Sequence, residues 1–347
     1  MIINALGGLD DPNAGSADGP SATSRDLVLN ERALADARAS GLTAVNVTLG
    51  YVMGDFPPFE HTLDEIAVWD GHLAAHHGSL LKVLTADDIR RAEREGRVGV
   101  IYGLQNAVQT GDDPGRVAKL ADLGVRVVQL TYNPANQLGS GCMDPSDGGL
   151  TSFGRDIVDA LEEQRLMVDL SHSGERTCLD AIAHSTRPLS VNHTGCRALT
   201  DLPRNKTDAE LRQVAERGGF VGIYFMPFLS PSGHATAEDV VAHLAHAVDV
   251  CGEDAVGIGT DGAVTAIDDL DAYRVRLAEE VAERARTGSG ATGEAADTLP
   301  FVPELTGPDQ FRRLARLLER EGWSEERVAK ILGGNFLAFA DRVWSAG

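Results

Sequence analysis

The sequence predicts an α/β fold of the (β/α)8 TIM-barrel type, and two observations carry that prediction. The first is that eight apolar runs of strand length alternate with stretches of helical period along the 347 residues. The second is that these runs are almost continuously hydrophobic, as parallel strands buried on both faces require. Because strands that alternate regularly with helices pair in parallel, eight repeats predict a closed barrel.

The predicted strands and helices follow one another in regular order. Several helices begin at a capping residue such as Thr85 and end before a glycine such as Gly124 or Gly218. The eight strands are predicted at residues 2–6, 43–48, 99–104, 125–132, 166–172, 189–193, 219–225 and 255–261. The helices between them are predicted at residues 24–40, 62–77, 85–95, 116–123, 151–163, 176–184, 206–217 and 237–250.

The rest of the chain is predicted to add loops and a closing helical region to the barrel. Residues 133–149 form a long loop where a barrel enzyme carries a lid, and residues 287–298, rich in Gly, Ala and Thr, predict a mobile surface loop. A helical region is expected at residues 308–344. Because no linker rich in Pro, Ser or Gly divides the chain, one barrel domain over residues 1–347 with a C-terminal helical extension is expected.

The acidic composition excludes several classes of partner. The formal net charge is −21, from 52 acidic and 31 basic residues, and both nucleic acids and anionic membranes favour basic proteins. The composition is otherwise that of an ordinary globular protein, with 43% hydrophobic and 24% charged residues. A soluble enzyme with a small-molecule substrate is therefore expected, and a homodimer is left open.

The location and the cysteines are predicted from what the sequence lacks. No run approaches the roughly 18 apolar residues of a membrane span, and the N-terminus lacks the basic and apolar regions of a secretory signal, so a cytoplasmic protein is expected.

Cys142, Cys178, Cys196 and Cys251 show no CxxC spacing, which favours free thiols over disulfides or a structural zinc site.

Three chemically capable residues stand at the ends of predicted strands. His172 ends LMVDLSH, His193 ends RPLSVNH and Asp261 ends AVGIGTD. The carboxyl ends of barrel strands gather at one face, where catalytic residues of such folds lie. Two imidazoles and a carboxylate at this face predict either a metal-assisted site or an acid/base site.

Nine segments of the chain, in order and at consistent spacing, resemble the membrane dipeptidase family, also called renal dipeptidase or peptidase M19. That family is a branch of the amidohydrolase-like, metal-dependent barrel hydrolases. The segments are GVIYGLQNA (99–107), VVQLTYNPANQLGSGC (127–142), GLTSFGRDIVDAL (149–161), MVDLSHSG (167–174), RPLSVNHTGCRAL (187–199), LPRNKTDAEL (202–211), GGFVGIYF (218–225), GIGTDG (257–262) and KILGGNFL (330–337).

The resemblance implies roles for four residues. In the family, two zinc ions are held by a His-x-Asp pair on the first strand, a bridging Glu on the third strand, and one His on each of the fifth and sixth strands. The two late histidines match His172 and His193. The aspartate that handles the attacking water matches Asp261, and the arginine that binds the substrate carboxylate matches Arg204.

The chain departs from the family pattern at the remaining positions. Leu6 and Gly8 stand where His-x-Asp is expected, and Gln105 replaces the bridging Glu. A neutral amide cannot join two divalent cations as a carboxylate does, so a dinuclear zinc centre is not expected. Tyr132 replaces the substrate-side His, and Tyr132, Gln105 and Asn133 are predicted to contact the substrate together with Arg204.

The sequence therefore leaves three hypotheses for function. The first is a dipeptidase-like hydrolase of a small carboxylate-bearing amide or dipeptide-like substrate, with at most one zinc or other divalent metal on His172, His193 and Asp261. The second is a metal-independent acid/base enzyme on the same barrel, such as a decarboxylase, isomerase, lyase or cyclase. The third is a non-catalytic binding barrel. Asp10 and Asp11, close after the first strand, could approach a metal.

Histidines on predicted helices are expected to lie outside the site. His72 and His76 are spaced i, i+4, but no Glu follows the first of them as in an HExxH zinc motif, so a solvated or lid-side helix is expected. His243 and His246 are spaced i, i+3 and are predicted to lie at the surface.

Overall fold

A computed structural model describes residues 1–14 and 29–345 and contains the predicted parallel barrel. The strands are paired in parallel in the order β1-β2-β4-β5-β6-β7-β8-β9, and β3 pairs with β4. Their bounds are β1 Ile3–Asn4, β2 Ala44–Thr48, β3 Leu80–Lys82, β4 Val98–Leu104, β5 Val125–Gln129, β6 Met167–Asp169, β7 Ser190–Thr194, β8 Phe220–Ile223 and β9 Val256–Ile258.

The barrel closes between β9 and β1 through individual hydrogen bonds. The backbone N–H of Ala5 donates to the carbonyl of Ile258, and the N–H of Asp261 donates to Leu6, both at 3.0 Å. The side chain of Asn4 makes two further bonds of 2.8 Å to Thr260, one to its backbone N–H and one to its hydroxyl. The eight predicted strands therefore form a nearly closed cylinder.

Strand β3 is a correction to the sequence prediction, which contained no strand between residues 48 and 99. It pairs Leu80 with Val98 and Lys82 with Val100 at the outer side of the closed path. Its three residues lie in the short connection between two helices and are too few for a period to be recognised.

The helices lie between the strands close to where they are predicted. Thr85, Thr151, Thr207 and Thr236 each accept a hydrogen bond from the first turn that follows them, which fixes where these helices begin. Residues 24–28 of the first predicted helix lie outside the described residues. The bounds are α1 Glu31–Ala39, α2 Pro58–Ala75, α3 Ala86–Glu95, α4 Gly115–Asp122, α5 Ser152–Glu163, α6 Glu175–His184, α7 Asp208–Glu216, α8 Ala237–Cys251 and α9 Leu270–Thr287.

The C-terminal helical region covers the amino-terminal end of the barrel. It consists of α10 Gln310–Arg320, α11 Glu325–Ala329 and α12 Asn335–Trp344, with a π-helical turn at Lys330–Gly334. In this turn Gly333 approaches the backbone N of Ile3 so closely that a Cβ would lie 2.9 Å from it. A glycine at this position therefore lets the turn pack directly beneath β1.

One expectation about the surface is wrong. His243 is buried, with 1% of its surface exposed, because its Nδ1 accepts from Cys196 N–H at 2.9 Å and its Nε2–H donates to the Leu229 carbonyl at 2.9 Å. In the segment 287–298, most residues are exposed, as expected for a surface loop, and Ser289 and Thr298 are the two buried ones.

Two further findings concern the cysteines and the membrane. All four cysteines are free thiols, which confirms the prediction from their spacing. Within the described ranges, no helix combines the length and the apolar character needed to cross a bilayer.

Candidate active site

The two predicted histidines meet at the carboxyl ends of neighbouring strands. His193 lies within β7, and His172 follows β6 by three residues. Their Nε2 atoms are 3.0 Å apart, and His172 and His193 are 5% and 0% exposed. Because β6 and β7 are adjacent in the parallel order, the strand ends alone bring these two residues together.

The orientation of His172 is fixed by two neighbours in the loop after β5. Its Nδ1 lies 2.7 Å from Oδ1 of Asn133, and its ring stacks on Tyr132 with 4.3 Å between ring centroids. The Nδ2 group of Asn133 donates to the carbonyl of Ser289 at 2.9 Å, which identifies Oδ1 as the acceptor from His172. The Nδ1 of His172 therefore carries the proton, and its Nε2 presents a lone pair towards His193.

His193 is held from behind by a network around Asp169. The backbone N–H of His193 donates to Ser171 Oγ at 3.1 Å, and its Nδ1 lies 4.0 Å from Oδ2 of Asp169. This Nδ1 has no hydrogen-bond partner among the described residues. Burial, with a further contribution from the positive charge of Arg204, holds the pKa of both imidazoles well below the ordinary value, so both are neutral bases at neutral pH.

Asp261 lies beyond β9 in a strained backbone conformation. Its φ of 59° is in the left-handed region, which a non-glycine residue seldom occupies and which is common at functional sites. Burial raises its pKa to about 6, against the opposing charges of Arg204 and Arg284, and the Gln105 amide donates a hydrogen bond to its carboxylate. A carboxylate with a pKa near neutrality is suited to accepting and returning a proton.

Arg204 lies beneath the site with only 2% of its surface exposed. Its two terminal nitrogens donate to the backbone carbonyls of Ser171 at 2.6 Å and His193 at 3.1 Å. The guanidinium thereby joins the loop that carries His172 to β7, which carries His193. Its charge acts on the pKa of His172, His193 and Asp261 alike.

The first strand offers no metal-ligating side chain where the family pattern places one. Leu6 is buried, and a Cβ on Gly8 would lie 2.4 Å from Oδ1 of Asp10, so the carboxylate of Asp10 fills the space of a side chain at position 8. Asp11 is turned away and accepts from Asn13 and Asn30 at 2.8 and 2.9 Å.

The donor set therefore does not fit a two-metal centre. Across residues 1–14 and 29–345, no group of three or more His, Cys, Asp or Glu side chains is placed to hold a metal ion. The two Nε2 atoms of His172 and His193 can supply two ligands to one divalent cation, and the His172 ring donates its Nδ1–H to an oxygen, as ligating histidines usually do.

A cavity of about 440 Å³ opens beside Asp261, at the closure between β9 and β1. Its lining includes Asp10, Thr48, Trp69 and Phe225 from the barrel side and Phe301 from the covering segment. The cavity is large enough for a small organic substrate.

Sequence reasoning missed the residues at the end of α9 and just after it that lie over the mouth of the barrel. Arg284 donates to Glu294 at 2.9 Å and is close enough to influence the pKa of Asp261, and Ser289 accepts from Asn133. No motif marks these residues, which lie far along the chain from the strand ends that they cover.

The fold and the site define the class of protein as an amidohydrolase-like barrel hydrolase, and comparison with known proteins gives the family. The family described as "Membrane dipeptidase (Peptidase family M19)" matches residues 36–291, which is most of the chain. The protein therefore belongs to the M19 membrane dipeptidase family, and the dipeptidases among its relatives indicate a hydrolase.

Individual relatives agree with this assignment. The structure of an amidohydrolase from Pseudomonas aeruginosa is 30% identical, with a TM-score of 0.81 over 99% of this chain and 96% of that one. Dipeptidase verJ from Clonostachys rogersoniana is 30% identical over 56% of this chain and 52% of its own, so the match spans about half of that relative. Dipeptidase AC, a metallopeptidase of family M19, shares the fold at 24% identity, with a TM-score of 0.74 over 90% of this chain and 89% of that one.

Proposed function

We propose that this protein hydrolyses the amide bond of a small, dipeptide-like substrate at the site formed by His172, His193 and Asp261. The observation that carries the proposal is the convergence of two neutral imidazoles, with Nε2 atoms 3.0 Å apart, at the strand ends of an M19 barrel. Membership of a dipeptidase family supports amide hydrolysis as the reaction class.

At most one divalent metal is proposed for this site, held by Nε2 of His172 and Nε2 of His193. When bound there, such a cation would act as a Lewis acid towards the substrate carbonyl. Asn133 holds the His172 ring so that its Nε2 lone pair faces the site, and Asp169 stands behind His193. Asn133 thus orients the His172 ring, whichever atom its Nε2 binds.

Asp261 is proposed as the general base that accepts a proton from the attacking water. Its pKa of about 6 leaves it mostly ionised at neutral pH and still basic enough to take up a proton. Gln105, which donates to the same carboxylate, fixes its orientation. Tyr132 stacks on His172 and contributes to the wall of the site. No carboxylate contact is proposed at Arg204, since two of its nitrogens already bind backbone carbonyls.

Hydrolysis of a dipeptide panel tests this proposal. Release of free amino acids is measured with the protein as purified, after chelation, and after addition of zinc or manganese, together with elemental analysis of the bound metal. We expect turnover with no more than one equivalent of metal, and a loss of ~100-fold or more in kcat/KM for His193→Ala. The matched control is His246→Ala, which removes a histidine paired with Asp208 away from the site. Full activity in His193→Ala would refute the assignment.

A second candidate, a metal-independent acid/base enzyme, is favoured by one observation. The two Nε2 atoms lie within hydrogen-bonding distance of each other, so a single shared proton can join the rings without a cation between them. Turnover of any substrate that is insensitive to chelation and still lost in His193→Ala would support this candidate over the metal-assisted hydrolase.

A further inference from the structure

The side chain of Asn133 joins His172 to a distant part of the chain. Its Oδ1 accepts from Nδ1 of His172 at 2.7 Å, and its Nδ2 donates to the backbone carbonyl of Ser289 at 2.9 Å. Ser289 belongs to residues 288–298, the segment after α9 that we call the cover. One amide therefore binds a histidine of the site with one end and the cover with the other.

The two ends of this amide have nearly the same shape and opposite hydrogen-bonding character. An amide turned by a half-rotation would fill the same space but present its NH2 group, a donor, to Nδ1 of His172. The proton of His172 would then lie on Nε2, which would no longer offer a lone pair to the site. The orientation of Asn133 therefore decides which nitrogen of His172 is free to act.

The carbonyl of Ser289 is the contact that sets this orientation. His172 can match either end of the amide by moving its own proton, so it follows Asn133 and does not direct it. Among the described residues, the Asn133 side chain has one further partner, Cys142, whose Sγ lies 3.5 Å from Oδ1. Sulfur is a weak donor and a weak acceptor, so it distinguishes poorly between the two ends. A carbonyl only accepts, and Ser289 therefore selects the NH2 end.

Ser289 is itself held in place from the end of α9. Its N–H donates to the carbonyl of Arg284 at 3.1 Å, and the side chain of Arg284 donates to Glu294 at 2.9 Å. Between them, Gly288 ends the helix with a φ of 69°, in the left-handed region that glycine adopts without strain. The ion pair thus closes the cover on itself and determines where the carbonyl of Ser289 lies.

From these contacts we infer that the cover, held by the Arg284–Glu294 pair, positions His172 through Asn133. With the cover closed, Ser289 holds the amide in one orientation, and Nε2 of His172 offers its lone pair to the site. When the cover opens, the amide turns freely. In a fraction of the molecules one proton then leaves Nδ1 for water and another binds Nε2, with no change in net charge.

The inference makes Ser289 and Asn133 positioning residues. Its catalytic consequence rests on the proposed function, since hydrolysis that needs the Nε2 lone pair of His172 is then restricted to the closed state of the cover. The position of the proton on the ring can be measured without any turnover, which keeps the two proposals separate.

The Asn133→Asp variant separates the orientation of the amide from the position of the cover. A carboxylate presents an oxygen to Nδ1 of His172 in either orientation, so it keeps the proton on Nδ1 whether the cover is open or closed. It cannot donate to Ser289, so it does not close the cover. Loosening the cover should therefore move the proton of His172 only while residue 133 is an amide.

NMR of the full-length protein with ¹⁵N-labelled histidine measures the tautomer, after chelation so that no cation binds Nε2. Long-range proton–nitrogen couplings distinguish Nδ1–H from Nε2–H, and the spectrum of His172→Gln assigns the signal. We expect Nδ1–H in at least ~90% of the unaltered protein, and an Nε2–H fraction at least ~5-fold larger in Glu294→Gln. The control, Glu283→Gln, removes the same charge from an exposed pair with Arg286 and should leave the tautomer unchanged.

The double variant Asn133→Asp/Glu294→Gln should return the proton to Nδ1. A proton on Nε2 of His172 in the unaltered protein would overturn the inference, and so would an unchanged tautomer in Glu294→Gln. A double variant that keeps the proton on Nε2 would also overturn it, because Asn133 would then not be the link. The first of these outcomes needs no variant, so poor folding of a variant does not protect the inference.

Kinetics on the dipeptide panel separate this inference from the proposed function. In Glu294→Gln, kcat should fall several-fold while KM changes little, because fewer molecules present the lone pair of His172. If no amide is hydrolysed but the tautomer follows the cover, the positioning stands and the reaction assignment fails. If amides are hydrolysed and the tautomer is the same with and without Glu294, the reaction assignment stands and the positioning fails.

Discussion

At the scale of single residues, the site contains buried polar side chains that each have several hydrogen-bond partners. Asn133 uses both ends of its amide, since Oδ1 accepts from His172 and Nδ2 donates to Ser289. Arg204 and Lys206 are charged side chains that are only 2% and 1% exposed. Burial of such groups is tolerated only because each has several partners.

Replacement of Asn133 by Leu is expected to lower both stability and activity. The Nδ1–H of His172 would lose its acceptor in a buried position, which costs about 1–3 kcal/mol, and the ring would no longer be held in one tautomer. Urea unfolding measures the first effect, and kcat on any turned-over amide measures the second. The control is Gln164→Leu, an amide-to-Leu change at an exposed helix end. It should change the free energy of unfolding by no more than ~0.5 kcal/mol and leave kcat unchanged. Unchanged stability in the Asn133 variant would contradict the assigned tautomer.

His243 gives a pH dependence of stability that can be tested. Burial lowers its pKa to about 4, whereas in the unfolded chain it titrates near 6.5. Between these values the unfolded state binds more protons, so the free energy of unfolding falls as pH decreases, by ~2–3 kcal/mol between pH 7 and pH 4 from this group alone.

The His243→Gln variant isolates that contribution. Its difference in unfolding free energy from the original protein should shrink, or reverse sign, as pH falls from 7 to 4. Denaturant unfolding at several pH values measures this difference. A difference that stays constant over the range would mean that His243 is not the neutral, buried group described above.

At the scale of elements, residues 288–298, which follow α9, cover part of the mouth of the barrel. Arg284 and Glu294 close this segment with a 2.9 Å ion pair, and Ser289 connects it to the loop after β5 through Asn133. The segment contains few apolar residues, so its position depends on these polar contacts more than on core packing.

Loss of the Arg284–Glu294 pair is expected to loosen this cover. In Glu294→Gln, limited proteolysis within residues 287–298 should proceed several-fold faster. The control is Glu283→Gln, which removes an exposed pair with Arg286 on the same helix and should leave the cleavage rate unchanged. If both variants are cleaved at the same rate, the pair does not hold the cover.

At the scale of the whole molecule, the C-terminal helices complete the core at the amino-terminal end of the barrel. Phe336 is 1% exposed and packs edge-on against Phe220, with 5.3 Å between ring centroids. Phe339 stacks on the same ring at 6.0 Å. The helical extension is thus part of the apolar core beneath the strands.

Phe336→Ala is expected to destabilise the protein by about 3–5 kcal/mol, because it leaves a cavity between α12 and β8. Thermal or denaturant unfolding measures the loss. Val275→Ala, at a position that is 64% exposed, should have an effect within ~0.5 kcal/mol. A small effect of Phe336→Ala would show that α12 contributes little to the core.

The sequence by itself determined the barrel, its eight main strands, and the meeting of His172 with His193. These features follow from local rules, since hydrophobic period defines the strands and the parallel order places their carboxyl ends at one face. The ordered motifs indicated the family, and that resemblance placed Leu6, Gly8 and Gln105 at the positions of family metal ligands.

Only the tertiary structure decided which residues from distant parts of the chain come into contact. The carboxylate of Asp10 fills the space over Gly8, Ser289 bonds to Asn133 across 156 residues of sequence, and His243 is buried against a loop 47 residues away. The physical reason is that these contacts join segments with no shared period or spacing. Their energies depend on the burial and partners that exist only once the barrel has closed.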